Sequence, residues 1–79
     1  MTIRLRYFAA MREARGLAEE TRDTTAKNPR ELYQELRDGG FVQMDPRFVR
    51  PARNDEFCAW DALLVDQDLV VFLSPFSGG

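Results

Sequence analysis

Side chains that commonly carry out enzymatic chemistry are scarce in this chain of 79 residues. It contains no histidine, which excludes Ser-His-Asp and Cys-His catalytic arrangements and removes the commonest metal ligand. Cys58 is the single cysteine, so a disulfide within the chain and a metal site built from several thiolates are also excluded. We interpret Cys58 as a small buried apolar residue, and we expect no metal site.

The glycines do not form a phosphate-binding loop. Neither the GxGxxG nor the GxxxxGK spacing occurs among them. They are Gly16, Gly39, Gly40, Gly78 and Gly79. We therefore expect the chain itself to bind no nucleotide and no other cofactor.

The group with the clearest chemical potential is the carboxylate that follows Gly78 and Gly79 at the end of the sequence. A carboxylate is a weak nucleophile and a poor acyl donor. It reacts only after another protein converts it to an acyl-phosphate or acyl-adenylate, which sulfur or an amine can then attack. Because glycine lacks a Cβ atom, these two residues fit a narrow slot in any backbone conformation. The pattern predicts a carrier whose terminus is modified by partner proteins.

Charge and hydropathy restrict the possible partners and the location. The formal net charge is −2, which disfavours nucleic-acid binding. No apolar run is longer than that of Leu69 to Leu73, which is far shorter than the roughly 20 residues needed to span a membrane. Charged residues near the start interrupt any apolar stretch typical of a signal peptide. We expect a cytoplasmic protein with no nucleic-acid or membrane partner.

The first half of the chain shows a strand, a short helix, a second strand and a longer helix. Apolar and polar residues alternate over Met1 to Phe8, which predicts a half-buried strand. Ala9 to Arg15 reads as a short helical segment ended by Gly16, and a weaker strand follows over Leu17 to Asp23. The longer helix begins at Asn28, followed by Pro29 and Glu31, and ends at Gly39 and Gly40.

The second half predicts short strands. Phe48 to Ala52 is interpreted as an edge strand, because Pro51 cannot donate a hydrogen bond to a central ladder. Phe57 to Trp60 is a further short strand. Leu69 to Leu73 is continuously apolar, as expected for a central strand that is buried on both faces.

These elements predict an α+β fold of the β-grasp type. One main helix lies across a mixed sheet, and the last strand runs parallel to the first through a right-handed connection. We expect a single domain over residues 1–79, with a flexible Gly-Gly tail over residues 74–79.

Two segments resemble the MoaD family, the small sulfur-carrier subunits of molybdopterin synthase, which are related to the ThiS sulfur carriers. Residues 8–16, FAAMREARG, are similar to the FAxxRExxG segment that follows the family's first strand. Residues 66–79, DQDLVVFLSPFSGG, are similar to its DGDEVAFFPPVSGG ending. The chain departs from that ending at Gln67, at Ser74 in place of the first proline, and at the bulkier Phe76.

The resemblance implies a ubiquitin-like β-grasp fold and a role for the C-terminal glycine. Gly79 would be adenylated by an ATP- and Mg-dependent MoeB-like activating enzyme and then converted to a thiocarboxylate with sulfur from a donor protein. A MoaE-like large synthase subunit would use that sulfur to build the dithiolene of molybdopterin. The carrier would supply no catalytic side chain. Its partner-binding residues would be Phe8, Leu73, Pro75, Phe76, Ser77 and Gly78.

Several alternatives remain open from the sequence. The same tail would serve a ubiquitin-like modifier joined to lysines through Gly79, or a sulfur carrier for another pathway such as thiazole synthesis. Phe8 and Leu73 fit either the core or an interface. Residues 54–79 contain five acidic residues and no lysine or arginine. We expect them to present an acidic surface, including Asp66 and Asp68, that steers the tail toward basic partner grooves.

Overall fold

Five strands form one mixed sheet in residues 1–74, the part of the chain that the computed structural model describes. The strands and helices, in chain order, are β1 (Thr2–Arg6), α1 (Ala9–Arg15), β2 (Glu19–Asp23), α2 (Pro29–Asp38), a 3-10 turn (Pro46–Phe48), β3 (Arg50–Arg53), β4 (Glu56–Phe57) and β5 (Leu69–Leu73). The order across the sheet is β2-β1-β5-β3-β4. The predicted site residues Pro75, Phe76, Ser77, Gly78 and Gly79 lie outside the described residues.

The predicted central position of the last strand is confirmed. β5 pairs in parallel with β1 on one side and antiparallel with β3 on the other. Its first four residues are buried, and Leu73 is half-buried. A continuous apolar run suits this position because both faces of the strand are covered.

Helix α2 covers one face of the sheet. The Asn28 side chain accepts a hydrogen bond from the Glu31 N–H at 2.9 Å, so the predicted cap forms. Leu32, Tyr33 and Leu36 project from the helix into the core, as their spacing predicts. They pack against alternate residues of the two central strands, namely Ile3, Leu5, Val70 and Phe72.

Two of the predicted short strands are wrong in extent or position. β3 begins at Arg50 and lies between β5 and β4, so it is not an edge strand. Pro51 is tolerated because its carbonyl faces the β4 side, where it accepts the Cys58 N–H at 3.1 Å. The Pro51 nitrogen, which carries no hydrogen, points to that same side, so no hydrogen bond to β5 is lost. β4 ends at Phe57 and does not extend to Trp60, which instead packs on Tyr33.

A network of side chains joins β2 to α1. Glu20 accepts two hydrogen bonds from the Arg15 guanidinium, at 2.7 and 2.8 Å, and a third from the Tyr7 hydroxyl. The same guanidinium lies 4.3 Å from the centre of the Phe41 ring. The hydrogen bonds from Arg15 are the main reason why the pKa of Glu20 is below its usual value.

The lowered pKa of Glu20 predicts acid sensitivity. A carboxylate with a depressed folded pKa contributes stability above its unfolded pKa, and that stability is lost as pH falls through the folded value. We expect Glu20→Gln to lower the free energy of unfolding at pH 7 by about 1–2 kcal/mol and to flatten its decline below about pH 4.5. Urea unfolding between pH 3 and 7, followed by Trp60 fluorescence, measures both effects.

Glu13→Gln is the matched control, because Glu13 is exposed on α1 and makes no ion pair with any residue from 1 to 74. Its stability curve should follow that of the wild type. Parallel curves for wild type and Glu20→Gln would show that the network adds no pH-dependent stability.

Candidate functional site

The sheet face opposite α2, called here the open face, carries exposed apolar residues. Alternate residues of a strand point to opposite faces, so Val71 and Leu73 lie on the open face while Phe72 joins the core. The strand register places Ala52 beside Val71 and Phe57 beside Ala52. Phe57 is 56% exposed although it is a large apolar residue.

These residues form one continuous surface at the end of β5 that leads into residues 75–79. One groove is lined by Phe8, Ala52, Phe57, Val71 and Leu73 among others. A second groove shares Phe57 and Leu73 and adds Phe48 and Ser74. We call six of the apolar residues that line the two grooves the open-face patch: Phe8, Phe48, Ala52, Phe57, Val71 and Leu73. Its three phenylalanines are exposed, whereas Ala52 and Val71 are buried. Exposed large apolar side chains grouped in this way are typical of protein interaction sites.

The structure shows whether Phe8 and Leu73, which fit either the core or an interface from the sequence, belong to the core. Phe8 is 45% exposed and Leu73 is half-buried, and neither belongs to the core cluster. Both line the same groove, although 64 residues separate them along the chain. Their positions suit an interface, and their role in binding remains a prediction.

Phe8 is positioned by a strained junction between β1 and α1. Its own backbone is extended, with φ −128° and ψ 152°. The next residue, Ala9, has a φ of 46°. This lies in the left-handed region, which residues other than glycine, asparagine and aspartate rarely adopt. The Phe8 carbonyl then accepts the N–H groups of Met11 and Arg12 at 3.2 and 3.3 Å. The junction therefore holds Phe8 at the end of β1, next to β5.

Sequence reasoning missed Phe48 and Phe57 as members of the patch. A signal for Phe57 was present, because Asn54 and Asp55 form a two-residue turn with φ values of 52° and 71°. Two residues with positive φ are typical of a tight hairpin, and such a hairpin fixes which residues face each other. Phe48 gave no comparable signal, since its place depends on the 3-10 turn over Pro46–Phe48.

Three arginines line the grooves of the patch. Arg6 forms an ion pair with Glu19 at 3.0 Å, and Arg47 forms one with Asp45 at 3.2 Å. The guanidinium of Arg50 lies 3.9 Å from the centre of the Phe57 ring. The rim of the patch therefore includes cationic groups.

Of the two carboxylates expected to steer the tail, Asp68 is buried while Asp66 is exposed, and the steering role of Asp66 stays a prediction. Asp68 is only 6% exposed, and its carboxylate accepts hydrogen bonds from the Asn54 amide and the Val65 N–H. Asp66 accepts the Thr2 N–H at 2.7 Å. Both residues precede β5, whose other end, at Leu73, is roughly 15 Å away for a strand of five residues. Their hydrogen bonds hold the turn into β5.

Cys58 is half-buried, not fully buried as predicted. Burial raises the pKa of its thiol, and the nearby Asp68 adds to this while Arg53 opposes it. A raised pKa keeps the thiol protonated and unreactive at neutral pH.

Within residues 1–74, no three His, Cys, Asp or Glu side chains are grouped so that they could hold a metal ion. The described helices include none long and apolar enough to cross a membrane.

The model of the ThiS family matches residues 5–79, nearly the whole chain. The chain belongs to the ThiS family. Comparison with curated protein sequences gives no match. The recognition of this family from the two sequence motifs is therefore confirmed.

Solved structures similar to this ThiS-family chain share its fold. A putative molybdopterin converting factor subunit 1 from Pyrococcus furiosus is 26% identical, with a TM-score of 0.78, and the match covers 95% of this chain and 98% of that one. Subunit 1 and 2 of the molybdopterin-converting factor from Helicobacter pylori form a complex whose matching chain is 22% identical, with full coverage of both chains and a TM-score of 0.71. SAMP1 from Haloferax volcanii is 18% identical, with full coverage of both and a TM-score of 0.75. The ubiquitin-like β-grasp fold is confirmed.

The raised thiol pKa predicts slow alkylation of Cys58. We expect iodoacetamide to modify the folded chain more slowly at pH 7.5 than the same chain unfolded in urea, with a rate that still rises above pH 9. Mass spectrometry of quenched samples over a pH series gives the rates. A fast reaction that reaches its plateau below pH 7 would instead identify Cys58 as an activated thiolate.

Proposed function

We propose that this chain is a sulfur-carrying small subunit of a molybdopterin synthase and acts in the cytosol. The observation that carries the proposal is the open-face patch beside Ser74, where the chain continues into the Gly-Gly sequence. A carrier needs this arrangement, since a partner must grip a rigid surface while its active site takes the adjacent terminus.

The proposed chemistry takes place on the α-carboxylate of Gly79. A MoeB-like activating enzyme, using ATP and Mg, forms the acyl-adenylate and releases pyrophosphate. Sulfide-level sulfur from a donor protein then attacks the acyl carbon and displaces AMP to give a thiocarboxylate. A MoaE-like large subunit then receives the sulfur for the dithiolene of molybdopterin. The chain contributes its terminus and its binding surface but no general acid or base, which agrees with its lack of histidine.

Two comparisons support this choice of pathway. The Pyrococcus furiosus structure is a putative subunit 1 of molybdopterin converting factor and is 26% identical. The Helicobacter pylori structure contains subunit 1 together with subunit 2, so a chain of this fold forms such a complex. The LSPFSGG ending, similar to the FFPPVSGG block of MoaD proteins, favours the same pathway over thiazole synthesis.

A ubiquitin-like modifier is the second candidate. It is favoured by the similarity to SAMP1, described as a small archaeal modifier protein. In this reading the activated Gly79 is joined to lysines of other proteins. The chain has only one lysine, Lys27, which is exposed, so chains of modifiers linked through lysine would all pass through that residue.

The first test is the intact mass of the protein isolated from its own cells. A carrier yields a fraction in which one oxygen has been replaced by sulfur. A modifier yields covalent adducts with other proteins. A terminus found only as the free carboxylate, in cells actively making molybdopterin, would contradict the carrier function.

Changing the end of the chain should abolish sulfur transfer without affecting folding. We expect neither deletion of Gly79 nor addition of one residue after it to support transfer, because the reacting group is the terminal carboxylate itself. The unfolding midpoint should not change, since the core residues found in the described part of the chain extend no further than Phe72. Ala59→Gly is the control, because Ala59 is exposed in a loop, and this variant should transfer sulfur like the wild type. Full transfer by the extended chain would contradict the proposal.

Truncating the open-face patch should weaken binding of the large subunit. Phe57→Ala is expected to cost about 1–3 kcal/mol of binding free energy, mainly through faster dissociation. Its effect on folding should be small because the ring is 56% exposed. Leu63→Ala is the matched control, since Leu63 is 67% exposed but lies outside both grooves. Surface plasmon resonance with the subunit 2 homologue from the same genome measures the affinity and the dissociation rate of each variant. Equal losses of affinity for Phe57→Ala and Leu63→Ala would contradict a specific role of the patch.

A further inference from the structure

Arg50 differs from the other arginines that line the patch. Arg6 and Arg47 each have a carboxylate partner, Glu19 and Asp45. Arg50 is exposed, and its guanidinium forms neither an ion pair nor a hydrogen bond with any residue from 1 to 74. The guanidinium instead lies over the face of the Phe57 ring, with its carbon 3.9 Å from the ring centre. All five of its N–H donors are thus unused within the described part of the chain.

The stacking on Phe57 holds the guanidinium in place. A planar guanidinium over an aromatic face gains a cation–π attraction and loses part of its rotamer freedom before any partner arrives. Its donor-bearing edge stays available, because the ring covers only the face. A group fixed in this way is suited to bidentate binding of a carboxylate, since less conformational entropy is lost when the pair forms.

The strand register places Arg50 at the end of β5 that leads into residues 75–79. Arg50 faces Leu73, the last residue of β5, across the antiparallel β3–β5 pair. Both side chains line the groove that also contains Phe48 and Ser74. A partner that covers the patch and takes the adjacent terminus must therefore also cover Arg50 and remove it from water.

We infer that Arg50 binds a carboxylate at the edge of the partner surface that covers the open-face patch, and so helps to determine which partner is accepted. The inference rests on the proposed function and adds the chemistry of the partner: an apolar surface with an Asp or Glu placed opposite Arg50. A covered guanidinium without such a group would be desolvated and unpaired, which disfavours partners that lack the carboxylate.

The test compares Arg50→Gln, Arg50→Lys and Arg30→Gln with the wild type for binding to the subunit 2 homologue from the same genome. Arg30 is the matched control, because it is exposed on α2 and makes no ion pair in residues 1–74. Dissociation constants are measured by titration calorimetry at several salt concentrations, and unfolding midpoints are measured for every variant.

We expect Arg50→Gln to raise the Kd about tenfold and Arg30→Gln to change it less than about twofold. Arg50→Lys should recover only a small part of the loss, since lysine keeps the charge but cannot make the planar bidentate contact. The salt dependence of Arg50→Gln should be weaker than that of the wild type.

Three outcomes overturn the inference. If the wild type binds and Arg50→Gln binds equally well, the inference fails while the proposed function stands. If Arg50→Lys matches the wild type, the group acts only as a point charge and the bidentate carboxylate contact is wrong. If the wild type itself does not bind the subunit 2 homologue, the proposed function fails and the inference fails with it.

Discussion

The burial of β5 between β1 and β3 is the constraint on which the rest of the structure depends. The strand hydrogen-bonds to neighbours on both sides, and its side chains are buried as far as Phe72. Phe72 contributes to the core under α2, where it contacts Tyr33 with ring centres 4.8 Å apart. Because β5 is anchored along its length, Leu73 holds a fixed position at the end of the sheet. In the proposed function, this strand would give the partner a rigid surface to bind.

The start of β5 is held by polar contacts that also fix β3 and β4. The backbone N–H of Asn54 donates to the Leu69 carbonyl at 2.8 Å, and its side-chain oxygen accepts the Leu69 N–H at 3.0 Å. The Asn54 amide also donates to Asp68 at 2.9 Å. The same residue therefore forms the hairpin turn and joins that hairpin to β5. This arrangement explains how a two-residue strand, β4, can present Phe57 reliably on the open face.

On the open face, apolar side chains and charged side chains occupy different places. Phe8, Phe57 and Leu73 supply apolar area, and the cationic groups lie around them, although the chain as a whole is acidic. In a partner complex the apolar residues would control how long the complex lasts, and the charges would control which surfaces fit. In the proposed function the Gly-Gly sequence and this surface have different roles. The first would provide the reacting group, and the second would determine which protein reaches it.

The sequence by itself determined the elements whose signals are local. Alternation in β1, the Asn28 cap of α2 and the continuous apolar run of β5 each depend on neighbouring residues, and each was predicted correctly. The chemistry of Gly79 was also inferred from the sequence and stays a prediction. Only the tertiary structure decided which side chains meet, because Phe8, Phe57 and Leu73 come from three distant segments. The expectation that Asp68 lies on an exposed acidic surface failed for the same reason, because its burial depends on residues distant in sequence. Its carboxylate is buried against a turn formed by Asn54.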